Sequence, residues 1–497
     1  MDLNTVLQGV DVTRRAGPAT EVTGVEYDSR RVREGSLFVA FRGGTTDGNR
    51  YLAQAIEQGA RTIVTDSATG FATATAHPEL AVIEVAHGRR ALAALAANFF
   101  HHPEGKLKLS GVTGTNGKTT TAFLLEAMLR HQKRVTVLAG TIEYHAAGRI
   151  FPAPHTTPES RDLLELFREG VDGGATEAVM EVSSHALDQE RVAGLQFDVA
   201  IFTNLTRDHL DYHRTMENYF AAKRKLFDGS VAPPPRVSIL NQDDAHGATL
   251  KTQTRSPLVF TYGLRAGDFH ADHLQMEPSG MRFTMVTPDG NLPVATRLTG
   301  GVNVYNLLAA SAAAIARGLT LDQVAAGADA LDYVPGRFQS VDCGQNFAVV
   351  VDYAHTDDAL RNIIAVARAF VAKLDGRVIT MFGCGGDRDR SKRPLMGKAA
   401  GQGSDVVVVT SDNPRGENPL AIIEEVLPGL QGTPAKVIVQ ADRHRAIELA
   451  IAEAWQGDLV LLAGKGHEKT QTIGAQVIPF DDVAIARQVL LAREKSQ

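Results

Sequence analysis

The chain has 497 residues, too many for one hydrophobic core, and its length predicts two to four domains. Apolar residues make up 44% and charged residues 22%, an ordinary globular composition, and the net charge of -6 argues against a dedicated nucleic-acid-binding protein. Two cysteines cannot form a disulfide framework, and the sequence contains neither a signal-peptide pattern nor an apolar run of about 18 residues. These features predict a cytoplasmic protein without membrane insertion.

Residues 1–106 are predicted to form an N-terminal domain of short, alternating strands and helices. The segment 32–43 is typical of a turn followed by a strand. The segment 51–60 is typical of a helix closed by glycine, and the strand 61–65 follows it.

Residues 107–333 are predicted to form a central domain that opens with a strand, a glycine-rich loop and an amphipathic helix. Further strands are predicted at 178–182, 199–205, 236–241 and within 258–298, followed by an alanine-rich helix at 303–317. Alternation of strands and helices predicts a parallel sheet covered by helices.

Residues 334–497 are predicted to form a doubly wound, Rossmann-like C-terminal domain, which makes the fold class α/β with three domains. Its apolar strands are predicted at 348–353, 378–383, 405–410, 436–440 and 458–464. Ligands of such sheets bind outside the carboxyl ends of the strands. The segment S-D-N-P-R (411–415) lies at that edge, although an Asx-Pro turn is the ordinary explanation for such a sequence.

The segment G-T-N-G-K-T-T (114–120) lies between a predicted strand and a predicted helix, as a phosphate-binding P-loop requires. Exposed backbone N–H groups and the helix N-terminus would hold nucleotide phosphates, Lys118 would neutralise their charge, and Thr119 would offer a hydroxyl to Mg²⁺. The strict pattern has glycine where Val112 stands, and the alternative is a glycine-rich turn that caps a helix. The predicted nucleotide-binding residues of this ATPase loop are Gly114, Thr115, Asn116, Gly117, Lys118, Thr119 and Thr120.

Potential metal ligands follow two strands of the central domain, in M-E-V-S-S-H (180–185) and F-T-N-L-T-R-D-H-L-D-Y-H (202–213). Glu181 and Thr119 are the oxygen ligands that Mg²⁺ prefers. His209 is an unusual magnesium ligand and on composition alone favours zinc. Helix capping or ordinary polar surface is the alternative explanation for His209.

These motifs, taken in order, resemble the Mur ligase family. The match includes G-T-N-G-K-T-T, E-V-S-S-H, N-L-T-R-D-H-L-D-Y-H, Y-F-A-A-K-R-K-L-F, D-Y-A-H-T, G-C-G-G-D-R-D-R-S-K-R-P and A-G-K-G-H-E. The resemblance implies an ATP-dependent amide ligase of peptidoglycan synthesis, whose three domains bind a UDP-sugar, ATP and the incoming amino acid in that order. The family activates a carboxylate as an acyl phosphate, which an amine attacks with release of phosphate.

The same resemblance implies roles for individual residues. Lys223 resembles the family lysine that CO₂ carbamylates, and the carbamate would bind a second Mg²⁺ with Glu181 and His209. The implied catalytic residues are Lys118, Glu181, His209 and Lys223, and the implied metal ligands are Thr119, Glu181, His209 and carbamylated Lys223. Further ATP-site residues are Asn303, Arg337, Asp352 and His355. The implied UDP-substrate residues are Tyr27, Ser29, Gly44, Thr45, Thr46, Thr156, Thr157, Ser183, Gln189 and Arg191.

The D-N-P-R sequence resembles the family members that add meso-diaminopimelate to UDP-MurNAc-L-Ala-D-Glu. Arg415 can grip the distal carboxylate of diaminopimelate bidentately, and Asp412 or Glu468 can meet its ammonium. The implied amino-acid-binding residues are Arg388, Asp412, Asn413, Pro414, Arg415, Gly464 and Glu468.

Three alternatives remain open at this point. A folylpolyglutamate-type ligase would not explain the N-terminal block or D-N-P-R, and a lysine-adding Mur ligase predicts another sequence in place of D-N-P-R. A regulatory P-loop NTPase would not need the potential metal ligands. Nothing in the sequence indicates an oligomer.

Overall fold

The computed structural model of the protein describes residues 1–44, 46–277, 280–372 and 374–494. The fold class is α/β, as predicted, with largely parallel sheets covered by helices. Within these ranges, no helix is long and apolar enough to cross a membrane.

The N-terminal part of the chain forms a five-stranded sheet in the order β1-β5-β4-β3-β2, in which only β1 is antiparallel to its neighbour. Its elements are α1 (Leu3–Val6), β1 (Val12–Ala16), β2 (Gly24–Glu26), β3 (Ser36–Ala40), α2 (Leu52–Glu57), β4 (Thr62–Thr65), α3 (Ala68–Thr75), β5 (Ala81–Val85) and α4 (Gly88–Phe99). In β3, Leu37 and Val39 pack into the core on one side of the sheet, and Phe38 and Ala40 pack into the core on the other. This alternation buries both faces of the strand.

The central part of the chain forms an eight-stranded sheet in the order β13-β12-β11-β6-β10-β7-β8-β9, with a three-stranded antiparallel sheet, β14-β15-β16, beside it. The strands are β6 (Lys108–Thr113), β7 (Thr136–Ala139), β8 (Glu143–Ala146), β9 (Arg149–Pro152), β10 (Glu177–Glu181), β11 (Phe197–Phe202), β12 (Val237–Asn241), β13 (Leu258–Tyr262), β14 (His270–Glu277), β15 (Gly280–Thr287) and β16 (Gly290–Thr296). The helices are α5 (Lys118–His131), α6 (Ser160–Asp172), α7 (Ser184–Asp188), α8 (Leu210–His213), α9 (Met216–Arg224), α10 (Ala245–Gln253), α11 (Gly301–Ala316) and α12 (Leu321–Asp329).

The order of these strands determines where the phosphate loop lies. Strand β6 pairs with β10 on one side and with β11 on the other, and all three run parallel. The chain moves from β6 towards β7 and β10, and then crosses to the opposite side for β11. The carboxyl end of β6 therefore lies at a switch in strand order, where open α/β sheets form crevices for ligands.

The hairpin β8–β9 was not predicted from the sequence. Its turn places Ala147 and Gly148 at φ of 51° and 73°. Two positive φ values are typical of the tight hairpin turn that Asn-Gly commonly signals. The sequence A-A-G-R carries alanine at the first of these positions, so the usual turn signal is missing.

The C-terminal part of the chain forms a six-stranded sheet in the order β17-β18-β22-β19-β20-β21, and the five predicted strands are its parallel strands. The strands are β17 (Gln339–Ser340), β18 (Ala348–Asp352), β19 (Val378–Cys384), β20 (Val406–Ser411), β21 (Lys436–Val439), β22 (Leu459–Ala463), β23 (Thr470–Ile473) and β24 (Gln476–Pro479). The helices are α13 (Asp357–Val371), α14 (Lys392–Gly403), α15 (Pro419–Val426), α16 (Arg443–Ala452) and α17 (Asp482–Glu494). The separate hairpin β23–β24 is a feature that the sequence analysis missed.

A fully buried ion pair supports the carboxyl ends of two strands in this sheet. Arg443 and Asp482 are 0% exposed, and their closest atoms are 2.6 Å apart. The Arg443 guanidinium also donates to the carbonyl oxygens of Ser411 (3.3 Å) and Ala463 (3.0 Å), at the ends of β20 and β22.

We expect Arg443→Met to destabilise this part of the protein by about 3–5 kcal/mol, because it leaves the Asp482 carboxylate buried without a cation. Denaturant unfolding measures the loss. Arg445→Met is the matched control, because Arg445 pairs with Glu448 at the surface, and we expect no measurable effect there. Equal stabilities of the Arg443 and Arg445 variants would contradict the supporting role of the buried pair.

Candidate active site

A cavity of about 480 Å³ lies where strand ends of the central and C-terminal sheets face each other. Two hydrogen bonds cross it: Asn116 Nδ2 donates to Asp358 Oδ2 (3.1 Å), and Arg337 Nη2 donates to Thr119 Oγ1 (3.1 Å). Among its lining residues are fifteen that the sequence analysis singled out: Thr115, Asn116, Gly117, Lys118, Thr119, Thr120, Thr156, Glu181, Ser183, His209, Lys223, Asn303, Arg337, Asp352 and His355.

The predicted P-loop connects β6 to α5 and needs glycine at two of its positions. Gly114 and Gly117 adopt φ of 145° and 88°, which L-residues rarely adopt. A Cβ at Gly117 would overlap Asn306 Oδ1, and a Cβ at Gly114 would overlap Thr203 Oγ1. The loop thus keeps its backbone close to neighbouring chain segments, and the first turn of α5 remains available to a phosphate.

Lys118 is folded back over this loop. Its Nζ donates to the carbonyl oxygens of Gly114 (3.0 Å) and Thr115 (2.9 Å). Burial lowers the pKa of Lys118, and the Glu181 carboxylate opposes that effect. Phosphate oxygens at the loop would stabilise the charged ammonium and give it stronger partners than carbonyl groups.

Lys223 lies on α9 with 1% of its surface exposed. The sequence does not suggest this burial, because two basic residues follow Lys223 directly. Its Nζ donates to the Gly114 carbonyl at 2.7 Å and lies 4.6 Å from the centre of the Tyr219 ring. Burial, with help from the Lys118 ammonium, holds the pKa of Lys223 well below its usual value. The structure therefore favours a neutral amine at this position.

Glu181 ends β10 and is 0% exposed as a residue. Thr141 orients its carboxylate: the backbone N–H donates to Oε1 at 2.7 Å, and the hydroxyl donates to Oε2 at 3.0 Å. Because each carboxylate oxygen accepts one hydrogen bond from Thr141, the carboxylate is held in a defined orientation beside Lys118. This arrangement suits an oxygen ligand of Mg²⁺.

His209 precedes the short helix α8 in a left-handed conformation, with φ of 54°. Its Nε2 lies 3.4 Å from Asp208 Oδ2, and its ring packs edge-on against His185. Burial lowers the pKa of His209, so the imidazole is neutral and able to accept a metal. Across the described ranges, no three His, Cys, Asp or Glu side chains form a group that could hold a metal ion. This arrangement therefore does not support the zinc site that the composition around His209 favoured.

The remaining ATP-site candidates also approach the cavity. Asn303 Oδ1 accepts from Asn306 at 2.9 Å, which orients the amide that faces Gly117. Asp352 ends β18 and accepts backbone N–H bonds from Phe338 (2.7 Å) and Ala354 (2.8 Å), while burial raises its pKa.

Arg337 stacks over the Tyr353 ring at 4.7 Å while it reaches Thr119. His355 faces Asp208, with Nε2 and Oδ2 4.0 Å apart. Both contacts connect the C-terminal part of the chain to the phosphate loop and the residues beside it.

The predicted UDP-substrate residues of the central part form a connected group beside Glu181. Thr157 Oγ1 donates to the Glu181 carbonyl at 2.9 Å and accepts from the Ser183 N–H at 3.0 Å. Arg191 donates to the Thr157 carbonyl (2.9 Å) and to Gln189 Oε1 (2.8 Å). The Thr156 hydroxyl lies 3.1 Å from that of Thr141, the residue that orients Glu181.

The N-terminal candidates are more dispersed. Tyr27 Oη donates to Asp162 Oδ2 on α6 at 2.6 Å, whereas Ser29 Oγ donates to Gln54 within its own sheet region at 2.8 Å. A Cβ at Gly44 would lie 3.9 Å from Gln189 Nε2, so this loop borders the central group. The Thr46 backbone carbonyl accepts from the Gly43 N–H at 2.8 Å. This contact does not involve the Thr46 side chain, whose role stays a prediction. Thr45 lies outside the described residues.

The S-D-N-P-R segment begins at Ser411, the last residue of β20, and is held by the unpredicted hairpin β23–β24. Gln471 Nε2 donates to the Asp412 carbonyl at 2.6 Å, and the Arg415 N–H donates to the Thr472 carbonyl at 3.1 Å. Arg415 has φ of 51°, which is uncommon for a residue other than glycine. Backbone conformations of this kind are common at functional sites.

Arg415 and Arg388, which lies in the separate sequence G-D-R-D, both approach Gly385. A Cβ at Gly385 would lie 3.1 Å from Arg415 Nη1 and 3.8 Å from Arg388 Cγ. The Arg415 guanidinium donates to the Gly386 carbonyl at 2.8 Å. A guanidinium is the side-chain group best suited to bind a carboxylate.

The other amino-acid candidates surround the same turn. Asn413 Nδ2 donates to Glu468 Oε2 at 2.9 Å, and burial together with Asp412 raises the pKa of Glu468. The Gly464 N–H donates to the carbonyl of Asp352, a cavity residue, at 3.0 Å. Pro414 fixes the turn between Asn413 and Arg415. Gly464 thus contacts the end of β18 beside the cavity, while the next residue, Lys465, donates to Asn413 of the turn at 3.0 Å.

Several residues that organise the site were missed in the sequence. Asp208 adjoins His209 and could have been chosen for its carboxylate, and Lys465 stands inside the recognised A-G-K-G-H-E motif. Thr141, Tyr219 and Asn306 carry no such signal, because they act on residues far away in the sequence.

Comparison with known proteins assigns the chain to a family. The middle-domain model of the Mur ligases matches residues 112–314, the glutamate ligase domain model matches 336–466, and the Mur ligase family catalytic domain model matches 21–100.

The chain is also similar to curated relatives along its whole length. It is 50% identical to UDP-N-acetylmuramoyl-L-alanyl-D-glutamate--2,6-diaminopimelate ligase of Solibacter usitatus over 99% of this chain and 98% of the relative. The Geobacillus kaustophilus protein with the same name is 44% identical over 96% of both chains.

Solved structures agree with this assignment. A structure of a UDP-N-acetylmuramoyl-L-alanyl-D-glutamate--2,6-diaminopimelate ligase is 32% identical, with a TM-score of 0.65 over 95% of both chains. MurF ligase from Thermotoga maritima in complex with ADP shares the fold at 19% identity and a TM-score of 0.64, over 96% of this chain and 99% of that one. The chain belongs to the Mur ligase family.

Proposed function

We propose that the protein is an ATP-dependent ligase that joins meso-diaminopimelate to UDP-MurNAc-L-Ala-D-Glu in peptidoglycan synthesis. The observation that carries the proposal is a single cavity that brings the P-loop lysine, the Glu181 carboxylate and the buried Lys223 together with Asp352 of the C-terminal sheet, the sheet in which D-N-P-R follows β20. The names and full-length identities of the relatives support the same substrates. In this proposal, residues 1–106 bind the UDP-sugar, 107–333 bind ATP, and 334–497 bind diaminopimelate.

The proposed reaction has two steps. A carboxylate oxygen of the UDP-linked substrate attacks the γ-phosphorus of ATP, which forms an acyl phosphate and releases ADP. The neutral amine of diaminopimelate then attacks the acyl carbon, and the carbon–oxygen bond to phosphate breaks. The amine proton passes to solvent or to a nearby base, and the products are an amide and inorganic phosphate.

The residues of this chain would serve these steps mainly by position and charge. The P-loop backbone and Lys118 would hold the phosphates and stabilise the charge that develops on the transferred group. Arg337, already bonded to Thr119, would add a second positive charge from the C-terminal side of the cavity. Closure of the two sheets around the substrates would exclude water from the acyl phosphate.

Mg²⁺ fits the oxygen donors of the cavity. The Thr119 hydroxyl and the oriented Glu181 carboxylate are the residues that would hold it, with His209 as a neutral nitrogen donor. When bound, Mg²⁺ would neutralise phosphate charge during transfer.

Carbamylation of Lys223 is the finer part of the proposal. A neutral amine can attack CO₂ to form an N–C bond with loss of one proton, and the low pKa of Lys223 supplies that amine. The product is an anion where a neutral amine stood, close to Lys118. It would complete the metal-ligand set that Glu181 and His209 begin.

Specificity for diaminopimelate is assigned to Arg415, with Arg388 beside it. We expect Arg415→Lys to raise KM for meso-diaminopimelate by about 10- to 100-fold, because an ammonium cannot reproduce two parallel N–H bonds to the distal carboxylate. KM for ATP should stay unchanged in the same assay. Arg390→Lys is a control, because Arg390 pairs with Glu425 at the surface. An unaltered KM for diaminopimelate in Arg415→Lys would remove this role.

The proposed function is tested by phosphate release with ATP, Mg²⁺ and UDP-MurNAc-L-Ala-D-Glu, with meso-diaminopimelate and L-lysine compared at equal concentration. We expect release with diaminopimelate and little with lysine, because lysine would leave Arg415 unpaired. Release with lysine alone would retain a Mur ligase but reject the assigned substrate. Release with neither amino acid would reject the proposal, and turnover of ATP by itself would favour a regulatory NTPase.

A further inference from the structure

Lys465 is a buried cation at the centre of the D-N-P-R turn. Its side chain is 0% exposed, and its Nζ lies 2.8 Å from the Thr470 carbonyl and 3.0 Å from Asn413 Oδ1. The carboxylate oxygens of Asp412 and Glu468 lie 3.3 and 3.4 Å from the same nitrogen. A lysine that gives up all contact with water needs partners of this kind.

These contacts determine how Asn413 presents its amide. Asn413 Oδ1 accepts from Lys465 Nζ and from the backbone N–H of Thr472, at 3.0 Å each. Because two donors point at this atom, the Nδ2 group must turn the other way, towards Glu468 Oε2 at 2.9 Å. Lys465 therefore orients Glu468 both directly and through Asn413.

The cluster also carries an unbalanced negative charge that a cationic ligand could neutralise. Asp412 and Glu468 contribute two carboxylates and Lys465 one ammonium, so the cluster carries one net negative charge when all three are ionised. Asp412 Oδ1 is buried and accepts no hydrogen bond among the described residues, although it lies 3.3 Å from Lys465 Nζ as an ion pair. The neighbouring Arg443 does not alter this balance, because it forms its own buried pair with Asp482.

We propose that Lys465 is a positioning residue that prepares Asp412, Asn413 and Glu468 to receive the ammonium of the incoming diamino acid. This inference rests on the proposed function of the site. Lys465 Nζ lies within 3.4 Å of both carboxylates, and the arriving ammonium would add a second cation beside them. Without Lys465, the two carboxylates lose the cation between them, and the Asn413 amide loses one of the two donors that hold it.

The test compares Lys465→Met and Lys465→Gln with the wild-type enzyme in the complete phosphate-release assay. Lys465→Met removes both the charge and the donor, whereas Lys465→Gln retains a donor for Asn413. We expect KM for meso-diaminopimelate to rise at least about tenfold in Lys465→Met and less in Lys465→Gln, since truncating one partner of a buried charge cluster is costly. KM for ATP and for the UDP-substrate should change by less than about twofold.

Lys469→Met is the matched control, because Lys469 lies on the same segment and pairs with Asp481 at the surface. Its three KM values should equal those of the wild type. Thermal unfolding of each variant accompanies the kinetics.

The outcomes separate this inference from the proposed function. An unchanged KM for diaminopimelate in an active Lys465→Met enzyme overturns the positioning role and leaves the ligase proposal intact. Equal increases in all three KM values, or loss of folding in both Lys465 variants, assign Lys465 a structural role and overturn the inference. Absence of diaminopimelate-dependent release by the wild-type enzyme overturns both proposals.

Discussion

Replacing Lys223 with alanine is expected to lower kcat by at least about 100-fold, with partial recovery on addition of formate or acetate. The reason is the environment of its amine, which is fully buried and 2.7 Å from the Gly114 carbonyl, and whose pKa burial and the neighbouring Lys118 hold well below the usual value. Carbamylation would convert this amine into an anionic ligand, and a small carboxylate can occupy the space that alanine leaves. The measurement is the rate of phosphate release with saturating substrates.

Lys225→Ala provides the control for this experiment. Lys225 lies two residues away and pairs with Asp188 at 2.8 Å, with 30% of its side chain exposed. We expect kcat of this variant within about twofold of the wild type, as for other surface charges. Full activity of Lys223→Ala, or equal loss in both variants, would reject the carbamate role.

Replacing Lys118 with alanine is expected to abolish acyl phosphate formation, with a loss of at least about 10³-fold in kcat/KM. Lys118 is the cation of the phosphate loop, and its Nζ is held by the Gly114 and Thr115 carbonyls at the position where phosphate oxygens would arrive. Positional isotope exchange in labelled ATP, measured with the UDP-substrate but without diaminopimelate, isolates the first chemical step.

Lys108 provides the control for Lys118 in the same assay. Lys108→Ala, an exposed substitution at the opposite end of β6, should leave isotope exchange unchanged. Exchange at the wild-type rate in Lys118→Ala would show that the loop lysine does not serve phosphoryl transfer. Loss of exchange in the Lys118 variant but not in Arg415→Lys would separate the phosphoryl step from capture of the amine.

The local parts of the architecture were predictable from the sequence. The strand–loop–helix frame around Gly-Lys-Thr predicts a phosphate loop, because close backbone approach requires Gly117 and the helix N-terminus must follow directly. The buried strands of the C-terminal sheet are continuous apolar runs, such as V-V-V-V-T before Ser411. These features depend on neighbours within one strand, turn or helix, so the pattern of residues along the sequence predicts them.

The hairpin β23–β24 and the burial of single charges were not predictable in this way. Lys223 stands among basic residues, yet it reaches Gly114 across 109 positions of sequence because β6 and the α9 region converge at one sheet edge. Lys465 has Glu468 three residues away, but it acquires its second carboxylate neighbour, Asp412, only when the segments that follow β20 and β22 come together.

Local patterns and ordered motifs were enough to predict the α/β class, a phosphate loop and membership of the Mur ligase family. Tertiary packing fixes which side chains lose contact with water and which charges face one another across the cavity. Burial and pairing set whether Lys223 is an amine or an ammonium and whether Glu468 is ready for a ligand, and both depend on strand order rather than on adjacent residues.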